Sequence, residues 1–152
     1  GRLQQSGFSS PSLYDCDIEE SWILISKIDG RPLYEAITDG SVGIGVMENV
    51  GALIRRLHEE DISYGDLTTH NILIGETGNL SLIDFGLARV SPELEHMGLD
   101  LQVLNECLTA SHSELEGAVD TMLRGYLDEG NDEAANVVSR FEKIRGRVRY
   151  HG

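Results

Sequence analysis

The spacing of apolar residues predicts four helices and one short helical turn. Val46, Val50, Leu53 and Leu57 recur every three or four positions, which is the period of a helix with one buried face. The same period continues after residue 98. The predicted helices span 42–60, 99–109, 113–128 and 132–145, and the helical turn spans 33–39.

Two short strands are predicted over 71–74 and 80–83. The sequence Gly-Glu-Thr-Gly-Asn joins them, and its glycines allow the positive φ that a tight turn needs. Residues 11–28 are rich in β-branched and aromatic side chains and are expected to form an antiparallel pair of strands. A few strands followed only by helices predict an α+β fold.

The composition is that of one compact domain, since 152 residues with 40% hydrophobic and 25% charged side chains can form a single core. No apolar run is long enough to cross a bilayer, and the first residues lack the pattern of a signal peptide. We therefore expect a cytoplasmic protein without a membrane partner.

Charge is distributed unevenly along the chain. The formal net charge of −14 argues against a broad nucleic-acid-binding surface. Five of the twelve basic residues nevertheless lie in the last predicted helix and the tail: Arg140, Lys143, Arg145, Arg147 and Arg149. On residue type alone, the favourable position of cations at a helix C-terminus explains them, and contact with phosphate is the functional alternative.

Candidate chemistry lies in the loop after the first long helix and in the hairpin beyond it. Asp66 is placed in the loop, where its carboxylate can approach a hydroxyl or a water. Asn71 opens one strand of the hairpin and Asp84 ends the other, so the hairpin should place the two side chains together. Two protein oxygens suit Mg²⁺, which takes its remaining ligands from phosphate and water. Asp66 opposite the metal would orient the attacking group in phosphoryl transfer.

Each piece of this pattern is weak alone, because a single aspartate is usually a turn or cap residue. Together, Asp-x4-Asn, a strand–turn–strand and Asp-Phe-Gly match the catalytic loop and metal-binding motif of protein kinases. There are departures. Tyr64 and Gly65 replace the usual His-Arg, and Thr68 replaces the lysine of serine/threonine kinases. The segment after Gly86 is too short for an ordinary activation segment, so Ser-Pro-Glu at 91–93 is interpreted as a turn and helix start.

These departures resemble the small atypical kinase family of the KEOPS complex, which makes threonylcarbamoyladenosine on tRNA. The resemblance is carried by Gly-Asp-Leu-Thr-Thr at 65–69, by Glu95 with Leu-Asp-Leu at 99–101, and by Arg-Gly-Arg-Val-Arg at 145–149. It runs from about residue 7 to the end. It implies a protein-kinase-like fold, represented mainly by the helical C-terminal lobe with a hairpin between the catalytic loop and Asp-Phe-Gly.

The resemblance also implies a role for particular residues. Asp66 is expected to be the catalytic aspartate, Asn71 and Asp84 the Mg²⁺ ligands, and Asp100 the support for the catalytic-loop backbone. A hinge beside the adenine of ATP is expected at Ser26, Lys27, Ile28 and Asp29. The tail arginines expected to contact tRNA or a partner subunit are Arg145, Arg147 and Arg149. No role is assigned to His58, His96, His112 or His151.

Most of the kinase N-terminal lobe has no counterpart in this sequence. Residues 1–30 are interpreted as a remnant of its sheet with the hinge, and 31–152 as the C-terminal lobe with a basic tail. The glycine-rich stretch 40–45 comes after the hinge and does not fit the phosphate-binding flap. We therefore expect the isolated chain to bind ATP weakly.

Three functions are compatible with these observations. The first is an atypical serine/threonine protein kinase or ATPase of the KEOPS complex. It would hydrolyse ATP with Mg²⁺ to support tRNA N6-threonylcarbamoyladenosine modification, bound to the threonylcarbamoyl-transferase and other KEOPS subunits. The second is a catalytically impaired, pseudokinase-like docking module for that transferase. The third is a small-molecule phosphotransferase of kinase-like fold, which the arginine tail and the short segment after Asp-Phe-Gly disfavour.

Overall fold

The computed structural model describes residues 30–128 and 130–151, with side chains up to residue 147. Five helices lie in this part of the chain: α1 (Leu33–Thr38), α2 (Val46–Glu59), α3 (Leu94–Ser111), α4 (Ala118–Asp128) and α5 (Asp132–His151). Its strands are β1 (Arg31–Pro32), β2 (Ile62–Ser63), β3 (Ile72–Ile74), β4 (Leu80–Leu82) and β5 (Arg89–Val90). The predicted α+β class is confirmed. The predicted strand pair over 11–28 and the hinge residues lie outside the described residues.

The strands form two small antiparallel sheets. One has the order β1-β3-β4, and its central hairpin pairs Ile72 with Leu82. The other pairs β2 with β5, so the loop predicted after the first long helix begins with a short strand. With two residues each, β1, β2 and β5 are too short to show the alternation that identifies a strand in a sequence.

Three predicted helix starts were wrong, each for a local reason. Helix α2 starts at Val46 rather than 42, after a turn that contains two glycines. Helix α3 starts at Leu94 rather than 99, which agrees with the turn and helix start interpreted at 91–93. The Glu93 N–H donates to His96 Nδ1 (3.0 Å) and caps the first turn. Helix α4 starts at Ala118 rather than 113, directly after Gly117 with its φ of +79°.

Helices α2 and α4 cross at Gly51 of α2 and Gly125 of α4, and each glycine faces the opposite helix. A Cβ on Gly51 would overlap the Met122 carbonyl oxygen, and a Cβ on Gly125 would overlap the Glu48 carbonyl oxygen. The two backbones therefore approach more closely than helices with larger side chains at the contact. This crossing places the C-terminal half of α2 next to Tyr126, which comes directly after Gly125 and is fully buried.

The core lies along α2 and contains its apolar stripe, the inner faces of α3, α4 and α5, and the hairpin residues Ile72 and Leu82. Arg55 is a charged residue near the C-terminal end of α2, yet it is 1% exposed. Burying an arginine is costly unless its donors are satisfied, so the surrounding helices must supply hydrogen-bond partners for this side chain. None of the helices in the described part of the chain is long and apolar enough to span a bilayer.

Candidate active site

The β3–β4 hairpin places Asn71 beside the Asp-Phe-Gly segment. The Ile83 N–H donates to the Asn71 carbonyl oxygen (3.1 Å), which continues the ladder one step beyond the Ile72–Leu82 pair. Asp84 is the next residue and has a φ of +63°, a left-handed conformation that is uncommon for a residue with a side chain. Its Oδ1 accepts a hydrogen bond from the Gly86 N–H (3.3 Å), and the side chain is exposed. The two predicted metal ligands thus emerge from the same end of one hairpin.

Asp66 is joined to Asn71 within the loop. The Asn71 Nδ2 donates to the Asp66 carbonyl oxygen (3.0 Å) and lies 3.4 Å from Asp66 Oδ2. Since the amide nitrogen is used in this way, the Oδ1 of Asn71 remains to act as a ligand. Asp66 itself is exposed. The loop therefore presents one carboxylate and one amide oxygen in a fixed relation.

The donor set fits a magnesium ion that is shared with a nucleotide. In the described part of the chain, no group of three or more His, Cys, Asp or Glu side chains could hold a metal ion alone. Asn71 and Asp84 supply two hard oxygen ligands, and Mg²⁺ commonly takes its other ligands from phosphate and water. This arrangement suits a metal that arrives with ATP better than a permanently bound structural ion.

Gly65 explains one departure of the loop from the kinase pattern. Its φ is +99°, and a Cβ at this position would lie 2.5 Å from the Leu87 carbonyl oxygen. An arginine, which occupies this position in most kinases, would be strained here and would overlap that oxygen. The glycine allows the segment after Asp-Phe-Gly to pack directly on the catalytic loop.

Asp100 holds the same loop from the other side. Its carboxylate accepts hydrogen bonds from the backbone N–H groups of Tyr64 (2.8 Å) and Gly65 (2.9 Å). The Nε2 of His58 lies 2.9 Å from Asp100 Oδ2. The Asp100 side chain is 2% exposed, so these bonds are shielded from water. The Asp100 carboxylate therefore joins helix α3 to the backbone of this loop.

A second anchor reaches the loop from the segment between α3 and α4. Thr69 is buried, and its hydroxyl lies 2.8 Å from Nε2 of His112, which is also buried. Burial lowers the pKa of His112, since the charged ring is disfavoured away from water. The ring of Tyr34 stacks on the neighbouring His70, with centroids 4.0 Å apart. The loop is thus anchored on both sides of Asp66, at Tyr64 and Gly65 and at Thr69.

Comparison with known proteins identifies the family. The model of the lipopolysaccharide kinase (Kdo/WaaP) family matches residues 21–108, more than half of the chain. The KEOPS complex subunit Bud32 of Pyrococcus abyssi is 31% identical over 153 residues, covering 98% of this chain and 69% of that protein. The chain belongs to the kinase family of KEOPS subunit Bud32.

Longer relatives of this Bud32-family chain also exist. A bifunctional tRNA threonylcarbamoyladenosine biosynthesis protein of Methanothermobacter thermautotrophicus is 36% identical over 146 residues, covering 95% of this chain and 26% of that protein. Its counterpart in Methanosarcina acetivorans is 38% identical over 148 residues, covering 97% of this chain and 25% of that protein. The chain spans about a quarter of the length of these bifunctional relatives.

The C-terminal arginines of the Bud32-family chain are paired with its own acidic residues. Glu95 accepts hydrogen bonds from Arg147 (3.0 Å) and from Arg140 (3.3 Å). Arg145 donates to Glu142 three positions earlier (2.6 Å). The side chain of Arg149, the third predicted tail contact, lies outside the described side chains. A nucleic acid that binds Arg145 or Arg147 would therefore have to compete with a carboxylate.

Four residues around the site went unrecognised in the sequence. Arg55, His58 and Tyr126 form a buried hydrogen-bonded row that ends at Asp100, and His112 anchors Thr69. His58 carried a usable signal, because it lies four positions after Ile54 on the apolar face of α2. Tyr126 carried none, since an aromatic residue on a helix face is ordinary core material.

Proposed function

We propose that the chain is the metal-binding and catalytic-loop part of an ATP-dependent phosphotransferase or ATPase. The observation that carries the proposal is the placement of Asp66, Asn71 and Asp84 around one loop and one hairpin, all reaching solvent at least in part. Asn71 and Asp84 would hold Mg²⁺, which when bound would neutralise charge on the phosphates of ATP. Asp66 would orient the attacking hydroxyl or water through its exposed carboxylate.

We further propose that this activity supports tRNA N6-threonylcarbamoyladenosine modification within a KEOPS assembly. Support comes from the names of the relatives, one a KEOPS subunit and others bifunctional biosynthesis proteins for this modification. The partners would be the threonylcarbamoyl-transferase and other KEOPS subunits. Arg145, Arg147 and Arg149 would contact tRNA phosphates.

The metal site is tested by titrating ATP with and without Mg²⁺. In Asp84→Ala and in Asn71→Ala, the gain in affinity that Mg²⁺ confers should disappear, because each variant removes one of two protein ligands. The control is Asp120→Ala, which removes an exposed carboxylate from α4 that takes no part in the site. The same Mg²⁺ dependence in all three variants and in the unaltered chain would contradict the metal assignment.

Replacing Asp66, the predicted catalytic aspartate, should reduce turnover and leave ATP binding almost unchanged. Asp66→Asn should retain ATP affinity within about twofold and lose most turnover, because Asp66 orients the nucleophile and does not hold the nucleotide. Turnover is measured with and without tRNA, and with a panel of small hydroxyl acceptors. Turnover that depends only on a small acceptor would favour a small-molecule phosphotransferase. Metal-independent ATP binding without any turnover would favour a docking module.

A further inference from the structure

A row of buried polar side chains connects helix α2 to the catalytic loop. Arg55 Nη1 donates to the Tyr126 hydroxyl (3.1 Å), and that hydroxyl lies 2.7 Å from His58 Nδ1. His58 Nε2 lies 2.9 Å from Asp100, which accepts the loop N–H groups. All four side chains in the row are at most 2% exposed. Arg55 is further paired with Glu133 at the start of α5.

The direction of each hydrogen bond in this row depends on its first member. An arginine only donates, so the Tyr126 oxygen accepts from Arg55, and the Tyr126 proton is left to point towards His58 Nδ1. Nδ1 then accepts, and the ring proton lies on Nε2, where it donates to Asp100. The opposite tautomer would remove His58 as the acceptor of the Tyr126 proton. It would also place the bare Nε2 against a carboxylate oxygen.

We propose that Arg55 and Tyr126 are positioning residues for the catalytic loop. Together they hold His58 in the tautomer that donates to Asp100, and this donation fixes the carboxylate in the orientation that receives Tyr64 and Gly65. The proposal rests on the proposed function, because holding the loop affects catalysis only if Asp66 acts in phosphoryl transfer. Neither residue touches the site, and each acts through its neighbour in the row.

The tautomer can be read directly in the unaltered chain by long-range proton–nitrogen NMR of the histidine rings. His58 should show a protonated Nε2 and a bare Nδ1. A proton on Nδ1 overturns the proposal, and this measurement requires no variant to fold. The amide of Gly65 should exchange slowly with solvent, since its N–H is bonded to the buried Asp100.

Two tyrosine variants test whether the Tyr126 hydroxyl sets the His58 tautomer. Tyr126→Phe removes the hydroxyl in the row, so the two His58 nitrogen signals should move towards each other and Gly65 should exchange about three- to tenfold faster. Tyr64→Phe is the matched control, because the Tyr64 hydroxyl is buried without a hydrogen-bond partner among the described residues. It should leave the His58 tautomer unchanged. An unchanged tautomer in Tyr126→Phe overturns the proposal.

Two variants of Arg55 separate the effect of its hydrogen-bond donation from the effect of its packing. Arg55→Lys keeps a donor next to Tyr126 and should preserve the tautomer, whereas Arg55→Met should lose it. In ATP turnover, Arg55→Met and Tyr126→Phe should lower kcat about three- to tenfold with KM for ATP within about twofold. A changed tautomer with unchanged kcat also overturns the positioning role. If the unaltered chain shows neither Mg²⁺-dependent ATP binding nor turnover, the proposed function fails, and the tautomer and Gly65 exchange still decide this proposal.

Discussion

Replacing Asp100 with Asn should destabilise the fold more than any exposed acid-to-amide change. The carboxylate accepts three bonds: Oδ2 faces the Tyr64 N–H and His58 Nε2, and Oδ1 faces the Gly65 N–H. An asparagine in its better orientation keeps the first two and turns its amide against Gly65. One buried donor is then left without an acceptor, at about 1–3 kcal/mol, and the two remaining bonds lose their charge assistance. Relief of the buried charge offsets part of this, so we expect a net loss of about 2–3 kcal/mol.

Urea unfolding measures this loss. For slopes of about 1–3 kcal/mol per molar, the midpoint of Asp100→Asn should fall by about 0.7–3 M. Glu106→Gln is the control, since Glu106 is an exposed acid on the same helix, and its effect should stay within about 0.5 kcal/mol. A loss for Asp100→Asn as small as that of the control, at the same slope, would show that these hydrogen bonds do not hold the catalytic loop.

Three further outcomes are expected. Gly125→Ala should lower the unfolding free energy by about 1–3 kcal/mol, because its Cβ overlaps a backbone carbonyl. The control Gly146→Ala has open space around its Cβ and should raise the unfolding free energy by up to about 1 kcal/mol. Equal effects of the two variants in thermal melts would refute the close crossing of α2 and α4. Because burial lowers the pKa of His112, its contribution to stability is present above about pH 6.5 and is lost as pH falls through the lower folded-state pKa. Urea midpoints at pH 7 and pH 5 should therefore differ less in His112→Gln than in the unaltered chain, and an identical difference counts against this burial effect. Glu95→Gln should release Arg147 and strengthen tRNA binding about two- to fivefold at low salt, and a filter-binding series with no change would mean that the tail does not contact RNA.

The loop and the hairpin could be predicted from the sequence because their signals are local. Asp66 and Asn71 are five positions apart in one loop, and the glycine-containing turn after β3 fixes the hairpin that returns the chain to Asp84. The helices were recognisable from their apolar period, although their starts depend on single residues. Glu93 is not a usual N-cap residue, and its bond to His96 was therefore not foreseen.

The supports of the site could not be predicted in the same way, because they join distant positions. Arg55 and Tyr126 are 71 residues apart, and Thr69 and His112 are 43 residues apart. An arginine near a helix end usually extends into solvent, and only the fold shows that Arg55 is buried with partners on two other helices. Such pairings depend on how the helices cross, which the period of one helix does not specify.

The glycine crossing of α2 and α4 ties helix spacing to hydrogen-bond geometry. Tyr126 is adjacent to Gly125, so the separation of the two helices sets the distance from its hydroxyl to His58, which is 2.7 Å. A hydrogen bond of this length tolerates a change of only a few tenths of an ångström before it weakens. A larger side chain at Gly125 and loss of the Tyr126 hydroxyl should therefore act on the same interaction, and their effects should not add. During sequence divergence, the residue tolerated at either position then depends on the residue at the other.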